Sequence, residues 1–210
     1  VTGRAFIQEY DELLSGSPGT VALPLDLDTT KDMLRFTSSS EDDLIRGWIA
    51  AAEELFEALT GRQLIMASRV YGLDAFPTDP IIELPRAPLV SVESIVYDDG
   101  SGSEQTWDDE NYTVIPSGLE PRAPRGRIVL PESGVWPSTS ATKRAVRITY
   151  TAGYAEDHRD IPELIKAALY EMVRKFHARE DGLPVGTRMI LDNLMYTAAQ
   201  KVRPWRSTWV

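Results

Sequence analysis

Between residues 44 and 59 apolar side chains recur every three or four positions, at Leu44, Ile45, Trp48, Ile49, Ala52, Leu55, Phe56 and Leu59. That spacing predicts an amphipathic helix with one buried face. Ser40 followed by Asp43 reads as a capping-box start with Asp in the place of Glu, and Glu41, Asp42 and Asp43 set negative charge at the positive end of the helix dipole. Gly61, in Thr60-Gly61-Arg62, predicts the left-handed residue that ends many helices. A second stripe of Ile161, Leu164, Ile165, Ala168, Leu169, Met172, Val173 and Phe176 predicts a helix over 161–178, with Pro162 in its first turn. The two stripes are expected to pack together, Leu44, Trp48, Leu55 and Phe56 against Leu164, Leu169, Met172 and Phe176.

From Gln63 to Ala152 the period shortens to two. Short β-branched and aromatic clusters alternate with Pro and Gly punctuation such as Phe76-Pro77 and Glu132-Ser133-Gly134. Ser91–Asp98 and Glu104–Trp107, joined by Asp99-Gly100-Ser101-Gly102, predict a hairpin. Arg144–Thr151 places Val146, Ile148 and Tyr150 on one face and Ala145, Arg147 and Thr149 on the other. The connections 116–125 and 135–142 read as exposed loops. A short helix is expected over Phe6–Leu14, before the loop Ser15-Gly16-Ser17-Pro18-Gly19. Another, capped by a Thr, is expected over Thr29–Leu34, and a third over Thr187–Ala199. The fold class that follows is α+β, a helical bundle from 29–62 and 153–182 with an antiparallel β domain inserted at 63–152. Residues 1–28 and 183–210 are left as N-terminal and C-terminal arms.

Composition narrows the function more by exclusion than by suggestion. Apolar content of 42% and charged content of 26% are those of an ordinary globular chain. No stretch nears the roughly 18 apolar residues of a membrane helix, and residues 1–10 show no secretory pattern, so folding in the cytosol is expected. The absence of cysteine rules out disulfides, thiolate metal sites and Cys nucleophiles. Net charge is −10: residues 161–210 hold eight Lys/Arg against five Asp/Glu, or +3, so 1–160 hold −13. Such an acidic body opposes general nucleic-acid binding.

Catalytic and metal-binding patterns are missing as well. His158 and His177 are the two histidines, and His177 with Glu180 reads as a solvated helix end rather than a metal pair. Asp98-Asp99-Gly100-Ser101-Gly102 lacks the spacing of a calcium loop and reads as a turn. Glu53, Glu54 and Glu57 read as the wet face of their helix. No phosphate-cradling loop and no nucleophile elbow are found. Catalytic residues, metal ligands and cofactors are therefore all expected to be none. What does stand out is the tail, where Arg203, Trp205, Arg206 and Trp209 combine the residue types enriched at protein interface hot spots. The same mixture stacks on single-stranded nucleic acid in other proteins, a reading the acidic body disfavours.

Five segments taken together resemble one family. They are Asp42 through Ile65, Ile82-Glu83-Leu84-Pro85-Arg86-Ala87-Pro88-Leu89, Ser91-Val92-Glu93-Ser94-Ile95-Val96-Tyr97, Val146 through Tyr154, and Ile161 through Ala168. In this order they resemble the head–tail connector (adaptor) proteins of long-tailed bacteriophages and related gene transfer agents, over about Thr29 to Glu180. The resemblance implies a structural head-completion protein without catalytic residues. It implies a ring, typically of twelve subunits, at the head–tail junction of the virion, assembled in the bacterial host cytoplasm. Its partners would be the portal protein and a stopper or tail-completion protein, with packaged DNA passing through unread and no membrane involved. In similar proteins the C-terminal segment grips the portal, which here points to Arg203, Trp205, Arg206 and Trp209. The alternatives are another phage neck or tail-completion subunit, an enzyme using carboxylates near Glu53 or Asp98, or a nucleic-acid module using the tail.

Overall fold

Backbone pairing divides the described residues, 9–15, 22–119 and 124–180 of the computed structural model, into a helical layer and two antiparallel sheets. The helices are α1 (Leu27–Leu34), α2 (Asp42–Thr60) and α3 (Glu163–Glu180). The strands are β1 (Glu9–Ser15), β2 (Ala67–Leu73), β3 (Ile81–Glu83), β4 (Leu89–Asp98), β5 (Glu104–Trp107), β6 (Thr113–Ile115), β7 (Arg127–Val129) and β8 (Val146–Ala152). One sheet has the order β1-β2-β8-β4-β5 and the other β3-β7-β6. The class is mixed α+β, as the two periodicities predict.

The helices share one core. Ile45, Trp48, Ile49, Ala52 and Phe56 of α2 are buried with Ile165, Leu169, Met172 and Val173 of α3, and Leu55 and Phe176 are partly buried against them. Two members of the predicted stripes behave otherwise: Leu44 is 39% and Leu164 62% exposed. Each sits in the first turn of its helix at the margin of the buried face, where the stripe has already turned toward solvent.

The helix ends also correct the local reading. Ser40 does not cap α2, because its hydroxyl bonds Ser38 Oγ at 2.7 Å; Glu41 occupies the cap position without a side-chain bond. α1 begins two residues before the expected Thr29, and its cap is Asp26, whose carboxylate accepts from the Thr29 N–H at 2.8 Å. Gly61 does end α2 in the left-handed region at φ 69°, its N–H donating to Glu57 O at 2.9 Å.

A second core lies between the sheets. Val146, Ile148 and Tyr150 of β8 are fully buried, as the alternation predicts, and meet Ile82 of β3 and Ile128 of β7 across the gap. The Ser91–Asp98 and Glu104–Trp107 hairpin forms as β4 and β5. Its turn is closed by Asp99, whose carboxylate accepts from the Ser101 and Ser103 N–H groups; the Ser101 hydroxyl and these N–H bonds hold its pKa down to about 2.

The N-terminal segment departs most from its sequence reading. No helix forms across the described part of 6–14; Glu9–Ser15 is a strand, paired antiparallel to β2 from Glu9↔Leu73 to Ser15↔Ser68. Backbone pairing with an available sheet edge overrides the weak helical spacing. The contact is sealed by Asp11, which accepts from Arg69 Nε at 2.9 Å, Arg69 Nη2 at 2.8 Å, Arg86 Nε at 3.1 Å and the Tyr150 hydroxyl at 3.0 Å. Burial opposes ionisation of this carboxyl, but the bonds from Arg69, Arg86 and Tyr150 outweigh it and hold its pKa below the usual range.

Replacing Asp11 by Ala strands two largely buried guanidinium groups. The expected loss is about 3 kcal/mol in urea unfolding, the scale for breaking one side of a buried pair. Amide hydrogens of β1 should exchange faster than those of β4, and unchanged protection of β1 would show that Asp11 does not hold the strand.

Candidate functional site

The described residues do not gather a catalytic constellation, and among them no group of three or more His, Asp and Glu side chains could hold a metal ion. No helix among them is long and apolar enough to cross a membrane. The features with surface chemistry are a carboxylate pair on α2, an aromatic patch at one end of the helical layer, and an aromatic groove at one end of the sheets.

The carboxylates of α2 are less wet than their spacing suggests. Glu57 turns inward at the helix end and accepts from the Leu64 N–H at 2.8 Å and Gln63 Nε2 at 3.0 Å, tying α2 to the chain that leaves it. Burial raises its pKa, opposed by the Leu64 bond. Glu53, one turn earlier, is half-buried; burial and then repulsion from Glu57 and Glu54 push its pKa up to about 8. Only Glu54 is exposed, so the three do not form one solvated face.

His177 is likewise not a solvated helix end. Its ring lies edge-on to Phe36 at 5.1 Å and to Trp48 at 5.5 Å, so the last turns of α3 pack on the first half of α2. His158 lies on the other side of the helical layer, 3.9 Å from the Asp26 carboxylate that caps α1. Arg203, Trp205, Arg206 and Trp209, with the helix expected over Thr187–Ala199, lie outside the described residues.

The groove went unread in the sequence, where Phe76-Pro77 served as punctuation and 135–142 as a plain loop. The β2–β3 and β7–β8 connections approach each other and enclose a cavity of about 460 Å³, lined by Phe76, Pro77, Pro80, Leu130, Val135 and Trp136 among others. Phe76 and Trp136 stack with ring centroids 5.0 Å apart and 4° between planes, and Phe76 meets Tyr97 at 5.7 Å. The Trp136 indole N–H donates to Asp79 O at 2.9 Å, which fixes the ring. Gly134 is pressed so close to Pro131 that an added Cβ would meet its Cδ at 2.8 Å. Val135, at the rim, is 78% exposed. Phe76, Trp136 and the prolines thus form a rigid surface with an apolar group left in water at its rim. The density of Phe, Trp and Pro in the two connections was the signal available.

Residues 24–121 match the family model of the phage gp6-like head–tail connector protein. The first three of the five segments lie within this match, and it is to the family they resemble. Among solved structures, a chain from the neck of an empty gene transfer agent particle computed with C6 symmetry has the same fold, with TM-score 0.73 and 20% identity over 96% of this chain and 97% of that chain. A chain from the virion of a native gene transfer agent particle gives 0.72 and 21% over 95% and 96%. A third, from the neck of a native particle computed with C12 symmetry, gives 0.68 and 21% over 96% and 97%. No curated protein matches the chain significantly.

Glu53 carries a pH prediction. Its carboxyl holds its proton in the folded state up to about pH 8, whereas the unfolded chain releases it near pH 4.5. The unfolded state then binds fewer protons across that window, so rising pH costs stability. Glu53→Gln removes this dependence: its melting temperature should approach or fall below that of the unsubstituted chain at pH 5 and exceed it at pH 8. A gap that does not widen with pH would show that Glu53 ionises normally.

Proposed function

We propose that this chain is a head-completion subunit, a head–tail connector that forms a ring below the portal, retains packaged DNA and joins head to tail. The observation that carries the reading is the connector-family match over 24–121, on a chain whose fold is shared along 95% or more of its length with chains of gene transfer agent particles. The family is structural, and its match supports a structural role at a head–tail junction. The symmetry of the related necks, C6 and C12, supports a ring assembled in the virion. Particle assembly in the host cytoplasm belongs to the same reading.

Within it, 29–62 and 153–182 act as a helical bundle, a stiff wedge packed through Trp48, Phe56, Leu169 and Met172. The inserted domain at 63–152 supplies loops for neighbours. The C-terminal arm from 183 grips the portal through Arg203, Trp205, Arg206 and Trp209, residue types suited to a small anchoring contact. The lower partner is a stopper or tail-completion protein, and the 1–28 arm begins outside the bundle. One alternative has a specific motive: two of the related structures are of particle necks, which names a place in the particle and not a partner. A second neck or tail-completion subunit would bind the tail tube and not the portal.

Electron microscopy of particles made without this gene tests the role. Packaged but unstable tailless heads beside free tails are expected; tailed particles that keep their DNA would overturn the reading. Ending the chain after Pro184 should leave a folded protein that no longer co-purifies with portal. Normal incorporation of that truncation would remove the tail from the portal contact.

A further inference from the structure

Two carboxylates stand on either side of one pair of arginines. Asp11 of β1 takes Arg69 through Nε at 2.9 Å and Nη2 at 2.8 Å, and Arg86 through Nε at 3.1 Å. Glu57, near the end of α2, lies within electrostatic reach of the same two guanidinium groups without bonding either. The buried Gln63 side chain stands between. Its Oε1 accepts from Arg69 Nη1 at 3.0 Å, while its Nε2 donates to Glu57 Oε1 at 3.0 Å. That same Oε1 accepts from the Leu64 N–H at 2.8 Å, and the second oxygen of Glu57 bonds nothing among the described residues. Glu83, which neighbours the cluster through Arg125, is already paired with Arg127 at 3.0 Å.

Of the strands that meet here, β1 is the one most easily lost. It ends the five-stranded order with β2 as its one neighbour, and a register shift between Leu13 and Ser15 interrupts its ladder. Beyond Asp11, its described side chains add the exposed Glu12–Arg144 pair at 3.7 Å, a contact worth little in water. Edge segments with few buried contacts open at free energies below that of the whole fold. Strand β2 stays behind, paired to β8 from Ala67↔Ala152 to Leu73↔Val146. Its Arg69 is 7% exposed and would lose the acceptor of both Nε and Nη2, which is costly for a buried cation. Glu57 is then the carboxylate one side-chain amide away.

We propose that β1 is a releasable strap, and that its release hands Arg69 from Asp11 to Glu57, displacing the Gln63 amide that ties the end of α2 to the segment leaving it. One carboxylate replaces another on the same guanidinium, so the buried charge is never left unmatched. Arg86, with 26% of its side chain exposed, is met by water when Asp11 leaves. The state of the N-terminal strand is thereby reported to the helical layer, and anything that draws residues 9–15 off the sheet edge loosens the end of α2. The exchange belongs to the single chain and stands or falls apart from the connector role.

NMR of the full-length chain tests it, with Asp11→Ala forcing the released state. The Glu57 carboxyl pKa, read from its 13C shift, should fall from above the usual glutamate value to below it. The Gln63 Nε2 protons should exchange with solvent roughly tenfold faster or more. A fall in the Glu57 pKa with Gln63 protection unchanged overturns the exchange, because loss of the Asp11 charge alone lowers that pKa and leaves the amide bridge in place. An unchanged Glu57 pKa overturns it as well. Asp11→Asn, which keeps an acceptor for Arg69 but no charge, should show both changes at smaller size, and it decides the question if circular dichroism shows the alanine variant unfolded. Adding Glu57→Gln to the Asp11 variant removes the recipient. The Arg69 Nε–H, protected while either carboxylate holds it, should then exchange fast, and protection that survives the double substitution also overturns the proposal.

Discussion

Everything in this fold hangs on the junction where two segments cross from the helical layer to the sheets, 61–66 leaving α2 and 152–161 leading to α3. At its centre Arg62 is fully buried, its guanidinium donating to the Tyr154 hydroxyl at 2.6 Å and lying 5.8 Å from the centre of that ring. A guanidinium withdrawn from water is costly unless its donors are met. The surrounding backbone is correspondingly dense in bonds: Gln63 N–H to Ala87 O at 2.8 Å, Met66 N–H to Ala155 O at 2.8 Å, and Tyr154 N–H to Leu64 O at 3.0 Å. Gly153, at φ 144°, lets the segments touch, since an added Cβ would lie 2.4 Å from Met66 Cα. Two cores that share no buried side chain are thereby made one body.

The Asp11 hub extends the same logic to the sheet. Arg69 points into the interior side of β2, and its Nη1 also reaches Gln63 Oε1 at 3.0 Å. Gln63 in turn bonds Glu57, so a polar chain runs from the edge strand β1 through the junction to the end of α2. An assembly subunit needs such stiffness, because a contact at one end sets the angle offered at the other. A close-packed interior has low compressibility and transmits strain, whereas a loose one absorbs it.

Local signals in the sequence mapped onto local structure. The α2 and α3 stripes, Gly61, the β4–β5 hairpin and the β8 alternation are each set by residues within a turn or a strand of one another. What stayed hidden is non-local. Asp11 meets Arg69, Arg86 and Tyr150 across 58, 75 and 139 positions, and no spacing rule announces such a meeting. The strand at Glu9–Ser15 misled because its partner edge on β2 is invisible until the sheet exists. Glu57 looked solvated by helical phase, yet the turn after Gly61 folds back and brings the Leu64 N–H to it. Phe76 and Trp136 are sixty residues apart and stack only once β3 and β7 have paired. The first three of the segments that resemble the connector family fall within the family match, since a family pattern carries long-range arrangement that spacing alone does not.

Charge distribution fits a part that must both assemble and stay out of the way. A body of −13 over residues 1–160 disfavours contact with nucleic acid, and that repulsion acts over a Debye length without any specific surface. Such a charge also keeps free copies apart, which disfavours assembly in solution. Joining copies must then overcome this repulsion locally, and the sequence departs from its acidic balance at the C-terminal end, where 161–210 carry +3. The acidic remainder supplies the default of not sticking.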